Sequence, residues 1–167
     1  DHYSWGRQRW FDWHAAEHHA ARQDVVLIDM SSMSKFLVQG RDACELLNRV
    51  SCNDVDVDPG RVVYTAWAND AGGFEADLTV TRLASDSFMV VVGENSHGHT
   101  ETWLRRHVGA DQFVTITDVT SGTTQINVHG PKARDLMRTI SSADLSNEGF
   151  PYMSARRIDV GFFDVLA

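Results

Sequence analysis

The 167-residue chain reads as an α+β domain built on an antiparallel sheet, a split βαβ or ferredoxin-like unit with an additional partial α/β lobe. Three observations predict this. From residue 34 to 119 the hydrophobic periods run strand, helix, strand, strand, helix, strand, with an extra strand at Phe88. Two alternating segments, 61–68 and 73–83, are joined by Asn69-Asp-Ala-Gly72, which is a hairpin signal. At 43% hydrophobic and 23% charged, the chain has the profile of a domain that packs a core.

Each element follows from its local pattern. Residues 12–23 read as a helix with Asp12 as N-cap and Trp13, Ala16 and Ala20 on one face. Val25 to Asp29 is a short strand, and Ser34 to Gln39 is another, closed by Gly40. Residues 41–50 are amphipathic, with Ala43, Leu46, Leu47 and Val50 on one side. The acidic segment 52–60 ends in Pro-Gly and reads as a loop. After the hairpin, Phe88 to Val92 is a strand and Thr100 to Val108 a helix that His97-Gly-His99 enters. Residues 113–119 and 123–128 read as extended. Residues 131–140 form a helix with Pro131 at its first position, and Arg156 to Val160 starts a further strand. No internal repeat is legible. The expected organisation is an N-terminal aromatic segment and helix over 1–30, the sheet unit over 31–120, and the start of a second lobe over 121–167. The apolar, strand-like ending and the start at Asp1 suggest a piece of something longer.

Composition excludes several function classes. The net charge is −8, and the 13 Arg and two Lys are scattered, which argues against a nucleic-acid backbone as partner. The apolar runs are only a few residues long, so no membrane span is expected. Cys44 and Cys52 are too few for a disulfide framework and lack zinc-type spacing, which suits a reducing compartment such as the cytoplasm.

The segment from Tyr64 to Val80 carries the most chemistry. With a four-residue loop, Ala68 would pair with Gly73, setting Tyr64 directly opposite Asp77 with Cβ atoms roughly 5 Å apart. Alternation then gives one face Val62, Tyr64, Ala66, Glu75, Asp77 and Thr79, and the opposite, apolar face Phe74, Ala76, Leu78 and Val80. Two readings stay open at this level. Glu75 and Asp77 are either the wet side of a half-exposed sheet, or part of a ligand wall with an aromatic platform and one acid that binds or deprotonates an amine.

A family resemblance bears on that choice. The blocks Asp29-Met-Ser-Ser-Met-Ser-Lys-Phe36, Cys52-Asn-Asp-Val-Asp56, Gly60-Arg-Val-Val-Tyr64, Gly72-Gly-Phe-Glu-Ala-Asp77-Leu-Thr-Val80 and His129-Gly-Pro-Lys-Ala-Arg134 occur in this order. Together they resemble the glycine-cleavage T-protein family of folate-dependent aminomethyltransferases. Ser4-Trp-Gly-Arg-Gln-Arg-Trp-Phe11 and the Gly-Gly-x-x-x-Asp-Leu-Thr-Val form are most similar to the C-terminal folate domains of dimethylglycine and sarcosine dehydrogenases or oxidases. The resemblance implies a T-protein-type fold whose 31–120 unit binds tetrahydrofolate in a central cavity. It implies Asp77 as the catalytic acid beside the folate amines and Tyr64, Met33 and Gly93 as cofactor-binding positions. T-proteins often carry a second acid where Ala76 stands, and commonly Asn in place of Gly93.

The resemblance further implies one-carbon transfer from a small N-methyl amine or imine. The imine would come from a flavin-dependent dehydrogenase domain of the same parent chain, so FAD is expected only in a domain preceding Asp1. No Gly-x-Gly-x-x-Gly fingerprint occurs in these residues. A second folate motif would follow the strand starting at Arg156, so this stretch alone is expected to bind folate weakly. The implied compartment is cytoplasmic, or the mitochondrial matrix in a eukaryote.

Other readings compete. A stand-alone T-protein-like enzyme and a non-catalytic folate-binding protein share the same motifs. His14-Ala-Ala-Glu-His18 matches the His-x-x-Glu-His pattern of a zinc hydrolase, but no partner segment supplies a third ligand, so no metal site is assigned. Trp5, Trp10, Phe11 and Trp13 are expected to pack in a core or between domains. Arg105-Arg106 and Arg156-Arg157 are candidates for an anionic group such as the folate glutamate tail.

Overall fold

A computed structural model describes residues 5–167; Ser4, which opens the Ser4–Phe11 block, lies outside the described residues. Helix α1 spans Phe11–Gln23, followed by β1 (Val26–Asp29), β2 (Ser34–Gln39), α2 (Ala43–Val50), β3 (Val62–Ala68), β4 (Phe74–Ala84) and β5 (Ser87–Val92). A 3-10 turn at Glu94–Ser96 leads into α3 (His97–His107), then β6 (Thr115–Asp118), β7 (Ile126–His129), α4 (Ala133–Arg138), β8 (Arg157–Val160) and β9 (Phe163–Leu166).

The central sheet has the order β3-β4-β5-β2-β6, with every pairing antiparallel. Strands β5 and β6 flank β2 and run parallel to each other, so β5-α3-β6 is a split crossover around β2. The β3-β4-β5 meander has one strand more than the ferredoxin-like pattern uses. Because β3 therefore runs antiparallel to β2, β2-α2-β3 is not a parallel crossover.

Burial is one-sided. Ala43, Leu46, Leu47 and Val50, the stripe read from the sequence of α2, are all buried. They pack with Leu104 of α3 against Phe36, Val38, Trp67, Leu78, Val80, Phe88 and Val90 of the sheet. Each Leu, Val or Phe among them contributes about 1.5–3 kcal/mol when fully buried. The Trp67 indole N–H reaches the Ser51 hydroxyl at 3.0 Å, so the largest core side chain leaves no orphan donor. Asp42, at the α2 N-cap position, spends its carboxylate on the Phe113 amide at 2.6 Å, tying the helix start to the approach of β6.

A structural repeat was not legible in the sequence. Strand β2 runs through Gly40 into α2, and strand β7 runs through Gly130 into α4. Both glycines have positive φ, +133° and +121°. A Cβ on Gly40 would lie 2.1 Å from the Phe113 carbonyl oxygen, and one on Gly130 2.2 Å from that of Asp24. In each case the glycine admits the backbone leading into the partner strand, β6 for β2 and β1 for β7. Val38, Gly40, Ala43 and Leu46 match Val128, Gly130, Ala133 and Leu136 at the same spacing. Only a few residues recur, which is why the pattern escapes a search for self-similarity.

The N-terminal expectations are corrected. The N-cap of α1 is Trp10, without a side-chain cap bond, and Asp12 sits in the first turn, paired with Arg7. No residue of α1 is buried, and Trp5 and Trp13 are 109% and 72% exposed, so this cluster does not join the core. Strand β1 pairs with β7, joining the segment before the central sheet to the one after it. The β8-β9 hairpin is anchored to the sheet by Ala155 N–H to the Gly60 carbonyl at 2.7 Å and Val62 N–H to Met153 at 2.9 Å.

Two substitutions check this account. Leu46→Ala should destabilise by about 2–5 kcal/mol in denaturant unfolding, because the α2 site opens into a cavity. Gly40→Ala, an ordinarily mild change, should cost more than about 1 kcal/mol because both φ and the Phe113 carbonyl oppose a Cβ. An unchanged midpoint for either would contradict the packing described.

Candidate functional site

The face of the sheet opposite α2 and α3 carries a cleft of about 470 Å³. Its floor comes from β4 and β5, and Tyr64 from β3, Met33 from the turn before β2, and Gly93, Asn95 and Ser96 from the turn after β5 form its sides. Since Ala76, Leu78 and Val80 point into the core, alternation sends Asp77 and Thr79 to this open face. Met33, Tyr64, Asp77 and Gly93, the four positions singled out in the sequence, all line this cleft.

The expected register is corrected. Tyr64 pairs with Thr79, and Asp77 pairs with Ala66. The pairing begins one residue later than a four-residue loop gives, with Ala68 opposite Phe74, and a bulge then leaves Glu75 as an extra residue before Trp67 meets Ala76. Two one-residue slips restore the parity, so Tyr64 and Asp77 stay on one face as diagonal neighbours, a separation an aromatic side chain spans. The Tyr64 hydroxyl lies beside the Asp77 carboxylate, whose hydrogen-bonding influence and negative charge raise the phenol's pKa above the usual tyrosine value. Tyr64 is 59% exposed and Asp77 is exposed, so both groups face whatever enters the cleft.

The bulge also corrects one side-chain assignment. Phe74, placed on the buried face by simple alternation, is 68% exposed and lines the cleft. Glu75 lines the cleft with Tyr64 and Asp77, but its carboxylate is engaged by protein partners. Its carboxylate accepts from Asn69 Nδ2 at 2.6 Å and meets His99 Nε2 of α3 at 2.6 Å. The Asn69 bond first, and the His99 contact after it, hold the Glu75 carboxyl below its ordinary range against the opposing effect of burial.

Sequence reasoning missed Lys35 and Asn95. Lys35 is 2% exposed, and its ammonium donates to the carbonyls of Met33 at 2.8 Å and Ser31 at 3.2 Å. Burial pushes its pKa down, and Asp29 offsets part of that. The lysine thereby fixes the turn that carries Met33 to the cleft. Its signal was a lysine within an apolar strand, in a chain with only two. Gly93 supplies backbone only, and the amide side chain on that wall belongs to Asn95.

The remaining candidates lie elsewhere. His14 and His18 are exposed on α1, and among the described residues no three His, Cys, Asp or Glu side chains come together as a metal site. Arg105 pairs with Glu101 at 2.8 Å, away from the cleft. Arg156 and Arg157 line a second cavity of about 690 Å³ with Arg82, Met89 and Thr123. Arg82 is paired there with Asp56 and Arg157 with Asp164, at 2.5 and 2.7 Å. Among the described residues no helix is long and apolar enough to cross a membrane.

Comparison with known proteins places this architecture. The chain is 40% identical over 158 residues to a 4-methylaminobutanoate oxidase (formaldehyde-forming) of Paenarthrobacter nicotinovorans, covering 95% of this chain and 19% of that protein. It is 34% identical over 155 residues to the mitochondrial pyruvate dehydrogenase phosphatase regulatory subunit of Mus musculus, covering 92% and 18%. An aminomethyltransferase of Clostridium botulinum is 33% identical over 135 residues, covering 80% and 36%. The chain thus spans about a fifth to a third of the curated relatives it matches.

Among solved structures, the glycine cleavage system aminomethyltransferase T of Bartonella henselae superposes with a TM-score of 0.73 at 23% identity, over 84% of this chain and 37% of that one. The heterotetrameric sarcosine oxidase of Corynebacterium sp. U-96 gives 0.66 at 18% identity, over 98% and 80%. These two share the T-protein fold with this chain, and the family profile of the GCVT N-terminal domain matches residues 1–167. Sequence blocks, fold and profile agree, and the chain belongs to the GCVT N-terminal domain family.

Proposed function

We propose that the cleft binds tetrahydrofolate and that Asp77 and Tyr64 serve transfer of a one-carbon unit from a small N-methyl amine or the imine derived from it. On this reading the chain is the aminomethyltransferase-type part of a larger flavin-linked N-methylamine oxidase or dehydrogenase. The observation that carries it is the Asp77 carboxylate, set beside the Tyr64 hydroxyl on the wall of an accessible cleft. The 4-methylaminobutanoate oxidase relative supports the amine side of the reading.

The residues present suit such a ligand. A carboxylate recognises an N–H, and the apolar and aromatic groups of Met33, Tyr64 and Phe74 take flat, weakly polar surface. When bound, a reduced folate supplies amine nitrogens that take up a one-carbon unit. Asp77 then accepts an N–H hydrogen bond and receives the proton released as that nitrogen bonds to carbon. The Tyr64 hydroxyl beside this carboxylate is placed to orient it toward the cleft. Apolar walls exclude water, which would otherwise hydrolyse an imine. Any FAD belongs to another part of such a protein.

Two relatives favour variants of this reading. The mouse relative is named as a regulatory subunit, which suits folate binding without transfer. The Clostridium botulinum relative is an aminomethyltransferase, which suits a stand-alone enzyme of that kind.

Asp77→Asn separates transfer from binding alone. In the full-length protein it should lower folate-dependent product formation by about 10²–10⁴-fold, with amine oxidation and the melting midpoint unchanged. Undiminished product formation in a folded variant would overturn the assigned role. The same substitution removes the negative charge that opposes phenol ionisation. The Tyr64 titration, identified by difference from Tyr64→Phe, should therefore move to lower pH, toward the ordinary value of about 10. A midpoint that stays in place would show that the two groups do not interact.

A further inference from the structure

The Glu75 bulge brings an aromatic ring out of the core and into the cleft. In an unbroken strand Phe74 would share the buried face with Ala76, Leu78 and Val80; instead it stands 68% exposed on the cleft wall. Bulges beside functional sites commonly re-aim a side chain in this way. This bulge is clamped at both ends. Glu75, with a side chain only 14% exposed, is held by His99 on one side and Asn69 on the other. His99 belongs to α3, whose Leu104 is fully buried in the core, so the clamp rests on a fixed element. Asn69 in turn accepts from the Ala71 and Gly73 amides at 3.1 and 2.8 Å, which shapes the hairpin loop leading to Phe74.

We infer that Phe74 is a ligand-packing wall of the cleft, taking the face of a planar, partly apolar ring. Glu75 is the positioning residue that holds it there through His99 and Asn69. The chemistry points to a flat ring system bearing N–H donors. Phe74 and Tyr64 offer two exposed aromatic surfaces, while Asp77, on the same face, accepts a hydrogen bond. A fully solvated polar hairpin tip would need neither an exposed phenyl ring nor a half-buried carboxylate behind it. The inference rests on the proposed folate reading and deepens it by naming which protein groups meet the ring.

The test is calorimetric titration of the full-length protein with 5-formyltetrahydrofolate as the probe. Phe74→Leu, which keeps apolar volume and loses the ring, should weaken binding roughly two- to tenfold, and Phe74→Tyr should restore it. Glu75→Ala and the milder His99→Leu should weaken binding to a similar extent without touching the probe. Either change combined with Phe74→Leu should cost nothing beyond Phe74→Leu alone, the signature of action through Phe74. Wild-type affinity in Phe74→Leu, an equal loss in Phe74→Tyr, or fully additive losses would overturn the inference while leaving the folate reading standing. A wild-type protein that does not bind the probe would overturn the folate reading and this inference with it.

Discussion

Helices α2 and α3 bury one face of the five-stranded sheet and leave the other open, and the placement of every group in the cleft follows from that asymmetry. Leu46, Leu47 and Leu104 lie on one side with Trp67, Leu78, Val80 and Phe88. A strand with period 2 must then send Tyr64, Asp77, Thr79 and Val91 the other way. Slipping β4 by one residue would put Asp77 among the apolar side chains beneath the helices, where an unpaired carboxylate is costly. The same burial that stabilises the fold therefore fixes which carboxylate faces the cleft.

Within that frame the walls of the cleft are held by polar contacts made elsewhere. Lys35 is buried at the start of β2 and uses its ammonium on the carbonyls of Ser31 and Met33, setting the turn on one side. The Thr120 hydroxyl accepts from the Lys35 amide at 3.0 Å, joining that turn to the end of β6. On the other side, Glu75 ties the hairpin to α3. Both devices place a charged group where solvent scarcely reaches it and satisfy it with several partners, which suits rigid supports for a site.

Much of this was legible in the sequence, for identifiable reasons. The α2 stripe and the bounds of β2 were read correctly because a burial period of 3.6 or 2 leaves a direct trace. The sharing of one face by Tyr64 and Asp77 also emerged, although their direct opposition did not, since a bulge has no signature in alternation and each slip hides the other. Phe74 was misplaced for the same reason. Asp12 was expected to cap α1 because its residue type favours that position, yet the helix starts one residue earlier and Arg7 engages the carboxylate. Lys35 and Asn95 were missed because neither a buried ammonium satisfied by nearby carbonyls nor an amide on a turn leaves a periodic trace. The aromatic-rich start was read as core or interdomain packing, and α1 buries none of its residues, which removes the first of these.

Family membership and geometry meet at Asp77, and a crystal structure of the full-length protein with a reduced folate tests the account most directly. The account predicts a folate ring against Phe74 and Tyr64, with a ring nitrogen at about 3 Å from the Asp77 carboxylate. Folate bound only in the cavity lined by Arg156 and Arg157, or with its nitrogens turned away from Asp77, would contradict it.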